Sequence, residues 1–267
     1  MSPADAAVLL AAALGAGVMN AMAGGGTILT YPALVLCGFG AITANATSTL
    51  ALLPGALASL AGYRREVAAH RAWLRTLFLP SLLGGTAGGV LLLATPEGTF
   101  ARLAPGLVLF ATLLFSVQGA VRRRLERGRP RTGTAGEPMP APGSTARGPF
   151  VAAWVAQLAV AVYGGYFGAG IGILMLAVLG FLGLRDIHAM NGLKNFFGFS
   201  INLVAAAYFA LRGAVDWPAA AVMAAGAIAG GYGGARLARR VGQSWSRRAV
   251  VAIGLLVTAL LALQELR

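Results

Sequence analysis

One cluster of polar side chains interrupts an apolar stretch in the last third of the chain. Lys194 is the only lysine among the 21 lysines and arginines, and Asn191 and Asn195 lie three positions before it and one after it. On an α-helix, positions i, i+3 and i+4 share one face, so these three side chains would point the same way. An ammonium group inside an apolar segment is costly without polar partners. The spacing therefore predicts a site in which Lys194 supplies a positive charge.

The composition indicates that this site lies in a membrane. Hydrophobic residues make up 58% of the 267 residues and charged residues 11%, whereas soluble domains carry about 25% charged residues. Several apolar runs approach the roughly 20 residues that span a bilayer core as a helix. The net charge of +13 comes from arginines clustered in short loops, which is typical of cytoplasmic loops and does not require nucleic acid as a partner. We predict an all-α integral membrane protein in contact with the lipid bilayer.

The acidic residues indicate the sign of the ligand. All eight fall in predicted loops or at segment ends. A cation site would need intramembrane carboxylates or a cage of carbonyls, whereas an anion site uses basic, amide and hydroxyl donors and helix N-termini. The predicted site therefore favours a small anion. One cysteine and two histidines do not indicate a metal cluster or a cofactor.

The chain contains an internal repeat. A shift of 146 residues (191 − 45) aligns Asn45 with Asn191, Gly24 with Gly170 and Gly26 with Gly172 without a gap. The same shift aligns the pair Gly84-Gly85 with Gly230-Gly231. Repeats of this kind are common in membrane transporters. We therefore predict a duplicated unit, with about five hydrophobic segments in each copy.

Charge and composition define the borders and the orientation of the two copies. Residues 1–121 form the first transmembrane repeat, residues 122–149 an Arg/Pro/Gly-rich linker with seven arginines, and residues 150–267 the second repeat. The linker cannot form a packed core. The arginine-rich loop precedes the fourth segment in the first copy, near 64–75, and follows it in the second, near 236–248. Because this bias swaps, we predict inverted-topology repeats, a cytoplasmic linker and both termini outside.

Each copy carries a glycine cluster between its first two segments. Glycine costs about 1 kcal/mol in a helix relative to alanine and permits positive φ, so we predict first helices that are broken or re-entrant there. Broken helices direct backbone amides at anions; the alternative is close packing of helices through small residues. Packing is the role we predict for the four-residue glycine spacings in the fourth segments. The clusters are Gly24, Gly25 and Gly26, and Gly168, Gly170 and Gly172.

The polar cluster around Lys194 has a neutral counterpart in the first copy. The shift aligns Asn45 with Asn191, Ser48 with Lys194 and Thr49 with Asn195. It also aligns Asn20 with Tyr166. Inverted copies would bring both sets to a pseudo-twofold axis near the midplane. Alternatively, the asparagines could be interhelical hydrogen-bonding residues, and the lysine could snorkel to the interface. The predicted binding residues, besides the six cluster glycines, are Lys194, Asn191, Asn195, Asn45, Ser48, Thr49, Asn20 and Tyr166.

Several of these motifs resemble those of the sulfite exporter TauE/SafE family, which is similar to the 4-toluene sulfonate uptake permeases. The resemblance covers nearly the whole chain outside the linker, although Gly192 stands where the family often has alanine. It implies a multi-pass permease of the cell inner (plasma) membrane that transports sulfite or organosulfonates. The motifs are Asn20-Ala-Met-Ala-Gly-Gly-Gly-Thr, Asn45-Ala-Thr-Ser-Thr, Pro54-Gly55, Gly62-Tyr63-Arg64-Arg65, Tyr166-Phe-Gly-Ala-Gly-Ile-Gly and Asn191-Gly-Leu-Lys-Asn195.

We therefore predict a secondary transporter for a small anion that works by alternating access. An enzyme is not expected, since no nucleophile–base pair or metal set is visible in the sequence. An anion channel and a membrane scaffold that uses the basic linker are the alternatives. Lys194 is titratable, so a coupling proton is compatible with this function. Another coupling ion and a homo-oligomer are compatible with it as well.

Overall fold

The computed structural model describes residues 1–22, 25–127, 147–184 and 186–241, together with 251–252, 254–256 and 258–259. All regular secondary structure in this part of the chain is helical, which confirms the all-α prediction. Gly24 and residues 128–146 of the predicted linker lie outside the described residues. The helices are α1 (Pro3–Met22), α2 (Thr27–Leu36), α3 (Ala41–Gly62), α4 (Arg64–Ala69), α5 (Arg71–Ala94), α6 (Glu97–Arg127), α7 (Arg147–Tyr166), α8 (Ile171–Phe181), α9 (Ile187–Leu211) and α10 (Trp217–Val241).

Four of these helices are long and apolar enough to cross a membrane. Their apolar spans are Pro3–Asn20, Ala41–Leu60, Arg71–Ala94 and Glu97–Val117. Shorter apolar helical stretches cover Thr27–Leu36, Val151–Tyr166 and Ile171–Phe181. Many large apolar side chains of the long helices are exposed, which is expected where lipid replaces water.

Acidic side chains stabilise the start of three helices. Asp186 Oδ1 accepts from His188 N at 2.9 Å at the start of α9, and Asp216 Oδ1 accepts from Ala219 N at 2.9 Å at the start of α10. Helix α3 starts after Gly40, which has no side chain to offer, and Glu97 Oε1 accepts from Ile42 N at 3.2 Å instead. Carboxylates at these positions satisfy free amides and the helix dipole. The three acids thus lie at the ends of segments, as predicted.

Glycines permit the closest helix contacts, as predicted for the fourth segments. A Cβ on Gly84 of α5 would lie 2.8 Å from Leu158 O of α7, and a Cβ on Gly88 would overlap Val162 O. In α10, a Cβ on Gly226 would lie 2.7 Å from Leu10 O of α1. Backbones can approach this closely only when no side chain separates them. The side-chain environment of Gly234, the third glycine of that series, lies outside the described residues.

Helices of the two predicted copies pack against each other. Helix α1 packs mainly against α10, and α7 packs mainly against α5. Under the 146-residue alignment, α1 corresponds to α7 and α10 to α5, so these two contacts are counterparts. The contacts of α3 with α10 and of α9 with α5 are counterparts in the same way. The first helix of each copy is therefore held by the fourth segment of the other.

Helices α3 and α9, which correspond to each other, run antiparallel. Near the start of α9, Asn195 Nδ2 donates to Ser59 Oγ near the end of α3, at 3.1 Å. After the end of α9, Asp216 N donates to Thr47 Oγ1 near the start of α3, at 3.0 Å. These two bonds join the copies at opposite ends of the α3–α9 contact. The part of the α3–α9 contact between these two bonds therefore lies at the boundary of the two predicted copies.

Candidate functional site

In each predicted copy, one glycine-containing turn separates the first helix from the second. Helix α1 ends at Met22 and α2 begins at Thr27; α7 ends at Tyr166 and α8 begins at Ile171. Gly25 has φ of 96° and Gly168 has φ of 78°, values that side-chain-bearing residues rarely adopt. Both turns thus depend on glycine at a defined backbone position.

A cavity of about 90 Å³ lies between these two turns and the facing sides of α3 and α9. One water needs only about 10–15 Å³ of such space, so the cavity is large enough for a small ligand. Both copies contribute to its walls, and its lining includes the N-termini of α2 and α8. The lining residues are Asn20, Gly25, Gly26, Thr27, Leu52, Ala56, Ser59, Gly168, Ile171, Gly172, Lys194, Asn195, Gly198, Phe199 and Asn202.

Lys194 supplies the positive charge of this cavity. It is half-buried in α9, and its aliphatic stem lies against the first turn of α8, where a Cβ on Gly172 would be 3.2 Å from Lys194 Cδ. None of the carboxylates that the structure describes lines the cavity or forms an ion pair with Lys194. A partly buried cation without a counter-ion is unfavourable. Its surroundings therefore favour binding of an anion.

Asparagine side chains add hydrogen-bond donors around the lysine. Asn20 Oδ1 accepts from Gly26 N at 2.8 Å, which orients the amide so that Nδ2 remains available as a donor. Asn195 bonds Ser59 across the α3–α9 contact. Asn202 Oδ1 lies 3.6 Å from the position a Cβ would take on Gly168. Asn20 and Asn202 thus lie beside the two glycine turns, in the cavity that Lys194 also lines.

The first turns of α2 and α8 also present backbone groups to the cavity. Gly26 and Thr27 lie at the start of α2, and Ile171 and Gly172 at the start of α8. Gly26 N and Ile171 N already donate to Asn20 Oδ1 and Gly168 O, but the helix dipole still makes this end of each helix positive. Two helix N-termini and one ammonium group therefore converge on the same space.

The structure brings together half of the residues predicted as a binding site. The cavity is lined by Asn20, Gly25, Gly26, Gly168, Gly172, Lys194 and Asn195. Asn191 is half-buried in α9 but outside the cavity lining, and Gly170 packs near Ala111 and Leu114 of α6.

The neutral counterparts from the first copy lie outside the cavity. Asn45 Nδ2 donates to Tyr166 O at 3.0 Å, and Thr49 Oγ1 donates to Asn45 O at 2.8 Å. Ser48 Oγ and Thr30 Oγ1 are hydrogen-bonded at 2.6 Å. These contacts fit the alternative in which Asn45 is an interhelical hydrogen-bonding residue.

Two polar lining residues were not predicted. Asn202 follows Asn195 by seven positions, with Gly198 and Phe199 between them, so all four lie on one helical face. Extending the polar face by two turns would have identified Asn202. Ser59 has no such signal, because only the antiparallel contact of α3 with α9 brings it to the site.

Comparisons with known proteins agree with these features. Residues 9–261 match the family described as sulfite exporter TauE/SafE. A probable membrane transporter protein of Haemophilus influenzae is 27% identical over 257 residues, covering 95% of this chain and 92% of that protein. The probable membrane transporter protein YfcA of Escherichia coli K12 is 26% identical over 266 residues, covering 97% of this chain and 90% of that protein. No solved structure matches the chain significantly. Because the family match extends over nearly all of the sequence, the chain belongs to the sulfite exporter TauE/SafE family.

Proposed function

We propose that this protein is a secondary transporter that carries a small anion, either sulfite or an organosulfonate, across the cell inner membrane. The observation that carries the proposal is the cavity between the two glycine turns. There Lys194 meets asparagine amides and two helix N-termini, and no described carboxylate is present. The names of the relatives, which are probable membrane transporters, support the same class of function.

The donor set fits an oxyanion attached to sulfur. Such an anion offers several oxygen acceptors around one centre, and each accepts hydrogen bonds from amides, backbone N–H groups or an ammonium group. Lys194 supplies charge without a fixed fork geometry, so the asparagines Asn20, Asn195 and Asn202 would determine the orientation of the anion. The cavity volume of about 90 Å³ favours a small anion over a bulky one.

The transport mechanism that we propose is alternating access between inverted repeats with broken first helices. Its support is the packing of the first helix of each copy on the fourth segment of the other, α1 on α10 and α7 on α5. The antiparallel contact of α3 with α9 is a second support, because inverted copies of one helix must run in opposite directions. The cavity lies beside this contact, so rocking of one copy against the other would expose it to each side in turn.

Thermal unfolding of the purified protein tests anion binding directly. We expect sulfite, thiosulfate or sulfoacetate to raise Tm by about 2–4 °C at about five times Kd, and sulfate to do so less. Lys194→Ala should abolish this shift, whereas Lys194→Arg should retain part of it. The matched control is Asn191→Ala, because Asn191 lies one turn away on α9 and outside the cavity. If no anion stabilises the wild-type protein more than Lys194→Ala, an anion site at Lys194 is wrong.

Flux measurements separate a transporter from an anion channel. In proteoliposomes, alternating access predicts saturable uptake and stimulation by unlabelled anion on the opposite side. A channel would instead give currents at rates far above those of a conformational cycle, since such cycles take microseconds to milliseconds or longer. Channel-like currents that disappear in Lys194→Ala would leave the anion site intact and overturn the transporter mechanism.

A further inference from the structure

We propose that the contact between Asn45 and the C-terminal end of α7 is a binding site for a monovalent alkali cation that is carried together with the anion. The inference rests on the proposed transport function. It concerns a different set of atoms from the anion cavity, because Asn45 lies outside the cavity lining. The expected ligands are the side-chain oxygen of Asn45 and backbone carbonyl oxygens of α7.

Asn45 has a buried oxygen without a partner. The residue is 1% exposed, and its Nδ2 donates to Tyr166 O at 3.0 Å. This bond fixes the orientation of the amide, since the reversed amide would place two acceptors against each other. Its Oδ1 then has no hydrogen-bond donor in the structure. A buried acceptor left unpaired in this way destabilises the fold, so its retention requires an explanation.

The end of α7 carries further backbone carbonyl oxygens. Phe167 N and Gly168 N both donate to Tyr163 O, at 2.9 and 3.2 Å. Among the described backbone hydrogen bonds, none reaches the carbonyl oxygens of Gly164 or Gly165. The last carbonyls of a helix have no donor within the helix, and the helix dipole makes this end negative. The Asn45 oxygen therefore lies beside a negatively polarised helix end.

This set of atoms selects a monovalent cation by its charge. Unpaired acceptor oxygens attract a cation and repel an anion. Calcium sites use carboxylates, and the described carboxylate of this region, Glu97, is hydrogen-bonded to Ile42 N, one turn before Asn45 on α3. An alkali ion carries a single charge that neutral oxygens and a helix dipole can balance. Unwound carbonyls and half-helix C-termini hold Na⁺ in this way in other transporters.

The position of the site couples it to the anion cavity. Tyr166, the last residue of α7, is separated from the cavity residue Gly168 only by Phe167. A cation at the end of α7 would stabilise the turn in which Gly168 and Ile171 line the cavity. The two ends of one helix break would then bind opposite charges, with the cation at the carbonyl end of α7 and the anion at the amide end of α8. Binding of each ion should therefore favour the other.

The test measures Tm of the full-length protein in sodium, potassium and choline gluconate at equal ionic strength, without any sulfur-containing anion. We expect Na⁺ or K⁺ to raise Tm by about 2–4 °C relative to choline. Asn45→Ala should abolish this difference. Asn45→Asp should lower the concentration for a half-maximal shift about tenfold, because it adds a ligand charge. Asn45→Asp also tests the site if Asn45→Ala does not fold.

The matched control is Gln157→Leu, because Gln157 is another described buried amide with an unpartnered oxygen. Gln157 bonds Ser81 between α7 and α5, far from the end of α7, so its variant should keep the cation-dependent shift. Equal Tm in all three cations, as expected if a water satisfies Asn45, overturns the cation site. If sulfite still raises Tm in choline in that case, the proposed anion transport stands. A cation shift without any anion shift would overturn the anion site alone.

Discussion

The aliphatic stem of Lys194 lies directly against the backbone of Gly172. A Cβ on Gly172 would stand 3.2 Å from Lys194 Cδ and 3.6 Å from Lys194 Cγ. This glycine in the first turn of α8 therefore also determines where the ammonium group can reach. This relationship connects the glycine turn of the second copy with the charge of the cavity.

Substituting this glycine should weaken anion binding without unfolding the protein. In Gly172→Ala, the methyl group would displace the lysine stem by a few tenths of an ångström, because the stem is the flexible partner. We expect the Kd for sulfite to rise about tenfold, which corresponds to about 1.4 kcal/mol. Isothermal titration calorimetry measures this change.

The control for this variant is Gly106→Ala in α6, where a Cβ would meet no atom within 4 Å. That variant should bind sulfite as the wild-type protein does and should unfold at the same temperature or slightly higher, because alanine favours helix. Unchanged sulfite binding in Gly172→Ala would contradict the proposed role of the lysine position.

The asparagines of α9 should differ in their importance for binding. Asn195 and Asn202 line the cavity, whereas Asn191 does not. A hydrogen bond to a charged ligand contributes about 1.5–3 kcal/mol. Asn202→Ala should therefore raise the Kd for sulfite at least tenfold, and Asn195→Ala should do the same in addition to losing its bond to Ser59.

Asn191→Ala should leave the Kd within about twofold of the wild-type value, because it removes no donor from the cavity. The double variant Asn195→Ala/Asn202→Ala tests whether both amides contact the same anion, since contacts to one ligand are often non-additive. Equal loss of binding in all three single variants would point to a general effect on α9 instead.

Inverted topology predicts that two corresponding loops face opposite sides of the membrane. Arg71 begins α5 after α3, and Arg212 follows α9, so both lie beyond the ends of corresponding helices and both are exposed. In a Cys37→Ser background, a membrane-impermeant maleimide should label Arg71→Cys only from the cytoplasmic side. It should label Arg212→Cys only from the outside.

Intact cells and inside-out vesicles provide the two orientations for this experiment. The two substitutions are chemically identical, so each serves as the control for the reactivity of the other. Labelling of both positions from the same side would exclude inverted repeats, whereas the anion site at Lys194 would remain to be judged by its own binding data.

The sequence could predict features that local spacing and the repeat determine. Helix-face spacing placed Lys194 with Asn195, and the 146-residue shift paired Gly26 with Gly172; all four line the cavity. It could not predict which side of α3 faces which helix. Asn45 aligns with Asn191 in sequence but bonds the end of α7, because helix rotation is set by packing of the whole bundle.

The glycine contacts between the two copies should set the stability of the whole protein. In α10, a Cβ on Gly230 would overlap Leu14 O of α1. Backbone cannot move aside as a flexible side chain can, so Gly230→Ala should force α1 and α10 apart. Overpacking of this kind costs about 1–3 kcal/mol, and we expect Tm to fall by about 2–12 °C.

The same argument predicts a different result for Gly55 of α3. A Cβ on Gly55 of α3 would lie 3.6 Å from Ala227 O, an ordinary van der Waals distance. Gly55→Ala should therefore leave Tm unchanged or raise it slightly, because alanine has the higher helix propensity. Circular dichroism at 222 nm during heating measures both variants in the same detergent. If Gly230→Ala proves as stable as Gly55→Ala, the close contact between α1 and α10 does not hold the two copies together.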